Sequence, residues 1–502
     1  MDPQGVRAIV FDDAVLFRID SAGALQFTPD APRFLLRLHY SNLLLGILAR
    51  DGCSDSRSQK EALLDQIGVL GAVRFVPLGQ ELITGAVLKD LGSVWGVASS
   101  RSVYVSANRN DFTEGDISNL GWKLVHFVSG KTGTENLPGL LANVEQLNEI
   151  NVIFADLTKR ALGTSLVIVG HVMKWSRELD FLKRGAFPVL PNQYGLSFMP
   201  IHLDLPLEKQ LAVVDVVLHK ATDETLTIPT GRLGFPDSVK FSKGMLDLQR
   251  YLKDTPRICV VDPLDRILPL LDRVATQNIL RSLKTPLDQV VRSPRSVEVT
   301  NFEEPCLSQA LDSTSIGLPA IVKPRIACGA SEAHTMAVVF EREGFNGLRV
   351  PLPAVIQEYV DHGAFQYKMY IVGDKLLCAC RKSTPNGEAL AVAHNNASSI
   401  IFDSLKSLPV AASTGEGTTT HSGGGLEGLN LQAVKTTSDW LRNKLGLTII
   451  GFDLVVQAGT SDYVIVDVNY FPSFKDVPDA EAIPAFWDAL VSAHRQWPGL
   501  KV

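Results

Sequence analysis

The sequence contains no apolar run approaching the roughly 18 residues that a membrane-crossing helix needs. Its first residues, Met1-Asp2-Pro3-Gln4-Gly5, lack the basic and apolar pattern of a secretory signal, so no leader is expected. The six cysteines (Cys53, Cys259, Cys306, Cys328, Cys378 and Cys380) are scattered and show no metal-ligand spacing. Cys378-Ala379-Cys380 falls inside an apolar run and reads as core. Thiols used this way suit a reducing compartment, and the expectation is an intracellular, cytoplasmic protein with the nucleus left open. Charge of one sign is also missing. With 54 acidic against 48 basic residues the formal net charge is −6, which argues against general affinity for nucleic acid or membranes. A small polyanionic substrate stays open, because a local basic pocket sets the field there. A P-loop is absent as well: Ser129-Gly130-Lys131-Thr132 supplies its ending, but Val125 stands where its first glycine is required. No internal repeat is present.

What is there is a globular composition on a long chain. At 502 residues the chain exceeds one ordinary domain, and two or three compact units are expected. A hydrophobic share of 45% against 20% charged residues is enough to bury their cores. Residues 1–128 alternate strands with helices: a strand over 6–11 ending in Asp12-Asp13, a helix over 32–40, a strand over 43–48 ending at Ala49-Arg50, a helix over 59–67, and a strand over 103–105 ahead of Asp111. Such alternation predicts a parallel, doubly wound α/β domain. Residues 129–164 read as a linker, turn-rich over 130–139, with a helix over 140–149. From 165 to 502 a second α/β unit is expected, with strands at 165–170, 213–218, 259–261, 320–322, 355–360 and 367–372 and a helix opening at Leu271-Asp272-Arg273. Residues 413–428 are rich in Gly, Thr and Ser and read as mobile.

The stretch with most chemistry is Leu447 to Phe474. Ile449–Val456 and Tyr463–Val468 are two β-branched apolar runs joined by Gln457-Ala-Gly-Thr-Ser-Asp462, the pattern of a hairpin. The first run carries Asp453. The second carries Asp467 and Asn469, two residues apart and therefore on one face of a strand. Three hard oxygen donors without Cys or His suit a Mg²⁺ that also binds phosphate oxygens. Lys323 ends a strand, where it could meet phosphate, and residues 357–360 form a strand edge whose backbone could meet adenine.

The run Val464-Ile-Val-Asp-Val-Asn-Tyr-Phe-Pro472 resembles the metal-binding end of an ATP-grasp kinase, and more narrowly the inositol tris/tetrakisphosphate kinases. The likeness is collinear from Leu166 to the C-terminus, through residues 216–223, Leu270–Arg273, 323–334, 357–373 and 467–472. It implies ATP and Mg²⁺ as cofactors and phosphorylation of a hydroxyl on an inositol tris- or tetrakisphosphate, with phosphoryl exchange or isomerisation between inositol phosphates left open. It also implies roles. Asp453, Asp467 and Asn469 hold the metal; Lys323, His334 and Lys368 take part in catalysis. Arg273, Lys323, Gln357, Glu358, Tyr359, Val360, Lys368 and Ser383 bind the nucleotide. Arg177, Lys220, His334, Lys368, Asn469 and Ser473 bind the substrate. Three departures, Ser176-Arg177 for a lysine pair, Ser473 for a glycine and Cys328 for Asp or His, imply a shifted acceptor position or isomer preference.

The N-terminal order resembles the haloacid-dehalogenase-like hydrolases, as in the plant-type long form of that kinase family. Those hydrolases need D-x-D, with one carboxylate as nucleophile and one as acid. Here Asp12 is followed by Asp13 and Ala14, and Arg50 follows Ala49 where a hydroxyl residue is required. Ser106-Ala107 replaces the Gly-Asp pair ahead of Asp111. A retained scaffold without phosphatase activity is expected. Two other readings of the whole chain are an ATP-grasp ligase joining a carboxylate to an amine and a non-catalytic inositol phosphate sensor. A monomer is expected.

Overall fold

The computed structural model describes residues 5–50, 54–78, 84–108, 111, 117, 119–128, 140–227, 239–283, 290–329, 331–406, 408–409 and 428–500. The turn-rich stretch 130–139, the P-loop-like Ser129–Thr132 and the Gly-rich 413–427 lie outside the described residues. The chain divides into two compact units, Met1–Val217 and Leu218–Val502, the division falling within the strand Val216–His219. No helix among the described residues is long and apolar enough to cross a membrane.

The first unit is built on six strands: β1 (Ala8–Asp12), β2 (Leu44–Ala49), β3 (Val73–Pro77), β4 (Ser102–Ser106), β5 (Lys123–Phe127) and β6 (Leu140–Val144). They pair in parallel in the order β3-β2-β1-β4-β5-β6. That order, with the first strand at the centre, is the doubly wound arrangement the alternation predicts. A central parallel strand is covered on both faces, which is why β1 reads Ala-Ile-Val-Phe without alternation and is fully buried. Ile9 and Phe11 pack on one face with Phe34, Leu35 and Leu38 of α1 (Ala31–Tyr40) and Phe154 of α4 (Glu149–Leu162). Val10 and Tyr104 pack on the other with Leu88 and Leu91 of α3 (Thr84–Trp95), while α2 (Ser54–Gln66) precedes β3.

The helix expected over 140–149 is instead β6 and a turn. Leu140–Val144 extends because β5 offers it a parallel partner, and helix begins only at Glu149. Beyond α4, β7 (Val167–Val172) pairs in parallel with β8 (Leu196–Pro200), with α5 (Trp175–Lys183) between them. Gly170 on β7 leaves no room for a larger residue, since a Cβ there would meet Ile201 at 2.6 Å.

The second unit carries two five-stranded sheets. The strands of these two sheets are β9 (Val291–Arg292), β10 (Ser296–Val299), β11 (Ala320–Pro324), β12 (Thr335–Val339), β13 (Ala354–Glu358), β14 (Phe365–Val372), β15 (Lys375–Lys382), β16 (Ser399–Asp403), β17 (Ile449–Val456) and β18 (Tyr463–Tyr470). One sheet runs β9-β18-β17-β14-β15, the other β10-β13-β11-β12-β16. Among its helices are α6 (Arg273–Arg281), α7 (Cys306–Thr314), α8 (Leu431–Leu445) and α9 (Asp479–Gln496). Asp272 caps α6 by accepting from Val274 N at 2.9 Å, so the expected opening at Leu271-Asp272-Arg273 has its physical cause. Cys378 and Cys380 lie on β15 and are half-buried.

Two buried polar clusters hold the first unit together. Arg37 on α1 grips Glu178 on α5 through Nε–Oε1 at 2.6 Å and Nη2–Oε2 at 3.2 Å, both side chains about 5% exposed or less. His171 Nε2 lies 3.0 Å from the same carboxylate. Burial alone would raise the Glu178 pKa, but Arg37 and His171 together hold it well below the usual carboxylate range. In the second cluster the Arg50 guanidinium sits between Asp12 and Asp111, with Nε 2.6 Å from Asp12 Oδ2 and Nη2 bonded to Asp111 Oδ2. Nη2 is also 3.0 Å from the Tyr104 hydroxyl, and Ser106 Oγ is 2.6 Å from Asp111 Oδ2. Burial pushes the Asp12 carboxyl up to about 6 although Arg50 opposes it. Lys60 meanwhile pairs with Asp13 at 2.7 Å.

The first cluster predicts that Arg37→Met, which strands a buried carboxylate, costs about 3–5 kcal/mol in chemical denaturation. Arg37→Met with Glu178→Met should recover most of that loss, and a double variant as unstable as the single one would contradict the ion-pair account. The second cluster places a fixed cation where a hydrolase needs open space for phosphate beside its nucleophile. The full-length protein should therefore show no Mg²⁺-dependent hydrolysis of p-nitrophenyl phosphate. Hydrolysis that disappears with Asp12→Asn would overturn this.

Candidate functional site

The site is built from the β17–β18 hairpin. Its two runs extend and pair because both are rich in β-branched residues and largely buried, with Asp453, Asp467 and Asn469 at the less buried positions. The register sets Asp453 directly opposite Asp467 and Gly451 opposite Asn469, with a bulge after Asp453. Gly451 lets Pro472 approach, since a Cβ there would meet Pro472 Cγ at 3.2 Å. The chain then turns at Phe471 with φ 39°, an unfavourable backbone for a bulky residue. Phe471 and Phe474 are both buried against Phe486 of α9, and that packing offsets the strain. Upstream, the buried Asp262 carboxylate accepts from Thr448 N at 2.7 Å and Ile449 N at 3.2 Å, which fixes where β17 begins.

Two neighbouring carboxylates repel one another, and the cations around them decide whether both stay charged. Lys368 on β14 pairs with Asp453 across the strands and places Nζ 3.2 Å from Asp453 Oδ1. Burial and the nearby Asp467 push the Asp453 pKa up, and Lys368 opposes them. Asn469 Nδ2 donates to Asp467 Oδ2 at 2.8 Å. Lys323, projecting from β11, brings Nζ to 3.3 Å from the Val466 carbonyl. Burial lowers its pKa to about 8, assisted by Arg273 and opposed by Asp467 and Asp453. Among the described residues no three His, Cys, Asp or Glu side chains form a metal cluster. The donor set is thus two carboxylates and an amide oxygen. That fits Mg²⁺, which commonly takes one or two carboxylates and fills its other positions with phosphate and water, and it fits poorly a metal caged by protein alone.

One cavity of about 510 Å³ gathers these groups. Its walls include Asp453, Asp467 and Asn469, the cations Arg273, Lys323 and Lys368, and His334. The strand edge Gln357, Glu358, Tyr359 and Val360 also lines it, as does Ser383. Twelve residues singled out from the sequence therefore share one wall system. Some are already committed. Arg273 donates to the carbonyls of Pro324 and Ile326, each at 2.6 Å, and so braces the loop that leads to His334. The Glu358 carboxylate is held by Arg292 and Arg295, leaving the backbone as that residue's contribution to the cavity. His334 Nδ1 lies 3.4 Å from Ser404 Oγ.

Three of the singled-out residues stand apart. Lys220 does not line the cavity: its Nζ donates to the Tyr470 carbonyl at 2.6 Å and sits 3.7 Å above the Tyr470 ring. Ser473 follows the same turn without reaching the lining. Arg177 belongs to the first unit, in the opening turn of α5. Sequence reasoning also missed lining residues, chiefly Arg381, Gln366, His362 and Ser404. Arg381 was within reach, because it lies two residues before Ser383 on a strand run and faces Gln366 across the ladder, two before Lys368.

Comparisons with known proteins agree with this architecture. Residues 286–491 match the family described as Inositol 1,3,4-trisphosphate 5/6-kinase ATP-grasp domain, and residues 1–160 match that described as ITPK4, N-terminal HAD-like domain. The chain is 37% identical to inositol-tetrakisphosphate 1-kinase 6 of Oryza sativa subsp. indica, over 98% of this chain and 87% of that protein. It is 27% identical to inositol-tetrakisphosphate 1-kinase of Xenopus laevis, over 62% of this chain and 75% of the relative. With inositol-tetrakisphosphate 1-kinase 1 of Arabidopsis thaliana it shares 27% identity over 49% of this chain and 77% of the other. A carboxylate hairpin inside an ATP-grasp domain, preceded by a HAD-like domain whose pocket is filled by Arg50, places this chain in the inositol-tetrakisphosphate 1-kinase family.

Proposed function

We propose that this chain transfers the γ-phosphoryl group of ATP to a hydroxyl of an inositol tris- or tetrakisphosphate, with Mg²⁺ held by Asp453, Asp467 and Asn469. The observation that carries the reading is the single cavity in which those three oxygen donors face Lys323, Lys368, Arg381 and His334, with the strand edge 357–360 beside them. A ligase acting on one carboxylate has no use for so many cations. Two polyphosphorylated ligands do, since each charge-assisted contact to phosphate contributes about 1.5–3 kcal/mol.

Phosphoryl transfer asks a protein for alignment and positive charge rather than covalent chemistry. The backbone of residues 357–360 holds adenine, while Lys323 and Lys368 meet the transferring phosphate. Lys323 suits this role because burial has already weakened its hydration, so an arriving phosphate oxygen replaces little water. His334 contacts phosphate on the acceptor, supported by Ser404. Lys220, Asn469 and Ser473 complete the acceptor contacts, Lys220 by exchanging its carbonyl partner for phosphate. Bound Mg²⁺ supplies charge neutralisation between the nucleotide's phosphate oxygens. Exchange of phosphoryl groups between inositol phosphates belongs to the same proposal, because in-line transfer runs in both directions.

Asp453→Ala and Asp467→Ala should each lower the rate of inositol phosphate phosphorylation by two orders of magnitude or more, about 3 kcal/mol of barrier. Circular dichroism should show the fold intact. Near-normal rates in both variants at saturating Mg²⁺ would end the assignment of these carboxylates.

A further inference from the structure

The strand edge that meets adenine and the hairpin that meets phosphate belong to different sheets. β13 lies in the sheet β10-β13-β11-β12-β16, and β17 and β18 lie in the sheet β9-β18-β17-β14-β15. A nucleotide of fixed length spans both, so something must set their separation. The segment from Val291 to Val299 crosses between them. Val291 and Arg292 pair in parallel with Tyr463 and Val464 of β18, and four residues later Ser296–Val299 pairs antiparallel with β13.

Arg292 sits at the crossing. Its Nη1 donates to Glu358 Oε1 at the end of β13, and its Nη2 donates to Gln457 Oε1 at 2.6 Å, at the start of the β17–β18 turn. Nε lies 3.8 Å from Asp462 Oδ2 at the other end of that turn. Arg295 also binds Glu358, through Nε at 2.7 Å and its backbone N at 2.9 Å, but its remaining side-chain bond goes to Ser315 O. Beneath the bridge, Val360 packs with Val455 and Val464. The Ala458 amide donates to the Asp361 carbonyl at 2.8 Å.

We propose that Arg292 is a positioning residue for the nucleotide: its fork joins the adenine edge at Glu358 to the carboxylate hairpin at Gln457 and so sets their spacing. This rests on the reading that the cavity binds ATP. A planar guanidinium with several donors in fixed directions can hold two partners at a set separation, and a single ammonium on a flexible stem holds that geometry less well. Loss of the bridge lets the two ends shift, and a misplacement of the order of 1 Å can cost as much as 100-fold. Ligands that contact only one side of the bridge should feel little.

The test uses the full-length enzyme and steady-state kinetics with ATP and the acceptor varied separately. Arg292→Met should raise KM for ATP about tenfold or more and change the acceptor KM less than about twofold. Arg292→Lys should recover only part of the loss. Gln457→Ala, which cuts the bridge from a turn and leaves Glu358 paired, should reproduce the ATP effect. Arg295→Met, which touches Glu358 without reaching the hairpin, should shift KM for ATP less than about threefold. A residue that merely stabilised the fold would lower the melting temperature and the active fraction without separating the two KM values. An unchanged KM for ATP in folded Arg292→Met or in Gln457→Ala overturns the inference, as does an Arg295→Met enzyme equally impaired. If the wild-type enzyme phosphorylates no inositol phosphate from ATP, the functional reading fails first and this inference with it.

Discussion

The site depends on one cross-strand pair, Asp453 opposite Asp467. Two carboxylates a strand apart in a largely buried hairpin are mutually repulsive, and the rest of the site answers that repulsion. Lys368 is paired in register with Asp453 from the neighbouring strand, Lys323 enters from the other sheet, and Arg273 braces the loop beside them. The same cations that oppose the repulsion also give the cavity a positive wall. One arrangement therefore offsets buried charge in the hairpin and lines the cavity with cations.

The first unit meets a related electrostatic problem with a different outcome. Asp12 and Asp111 are also buried carboxylates brought together at strand ends, but Arg50 lies between them and bonds to both, with Tyr104 and Ser106 closing the network. A guanidinium fills its space and does not deprotonate, so it stays bonded to both carboxylates. In the second unit the compensating groups are lysines on long stems beside an open cavity of about 510 Å³, and an incoming ligand can displace them. The two carboxylate pairs thus differ in what surrounds them: one arginine between the acids in the first unit, several cations beside an open cavity in the second. Elsewhere in the first unit a buried ion pair is satisfied locally, where Arg37 pins Glu178 on α5.

Much of this was legible in the sequence because it lives in short-range patterns. The β-branched apolar runs around Asp453 and Asp467 read as the two strands of a hairpin, and the turn Gln457–Asp462 between them left the two acids on adjoining strands. The departure from a hydrolase was legible in Ala14 and Ala49, which stand where an acid and a hydroxyl are needed, whereas the placement of Arg50 between Asp12 and Asp111 was not. What stayed hidden required knowledge of partners far along the chain. Leu140–Val144 became a strand only because β5 offers it a parallel edge, a fact local propensity does not contain. Lys220 rests on the Tyr470 ring 250 residues away. Arg292 looks like any half-exposed arginine until the crossing of two sheets places Glu358 and Gln457 on either side of it.

The most direct test of the central claim is product analysis of the wild-type enzyme. A panel of inositol tris- and tetrakisphosphates would be incubated with ATP and Mg²⁺ and resolved by anion exchange, with ADP measured in the same samples. The account predicts at least one panel member converted to a species bearing one more phosphate, in step with ADP formation and abolished by chelating Mg²⁺. ADP released with no inositol product, or no turnover of any panel member, would contradict it.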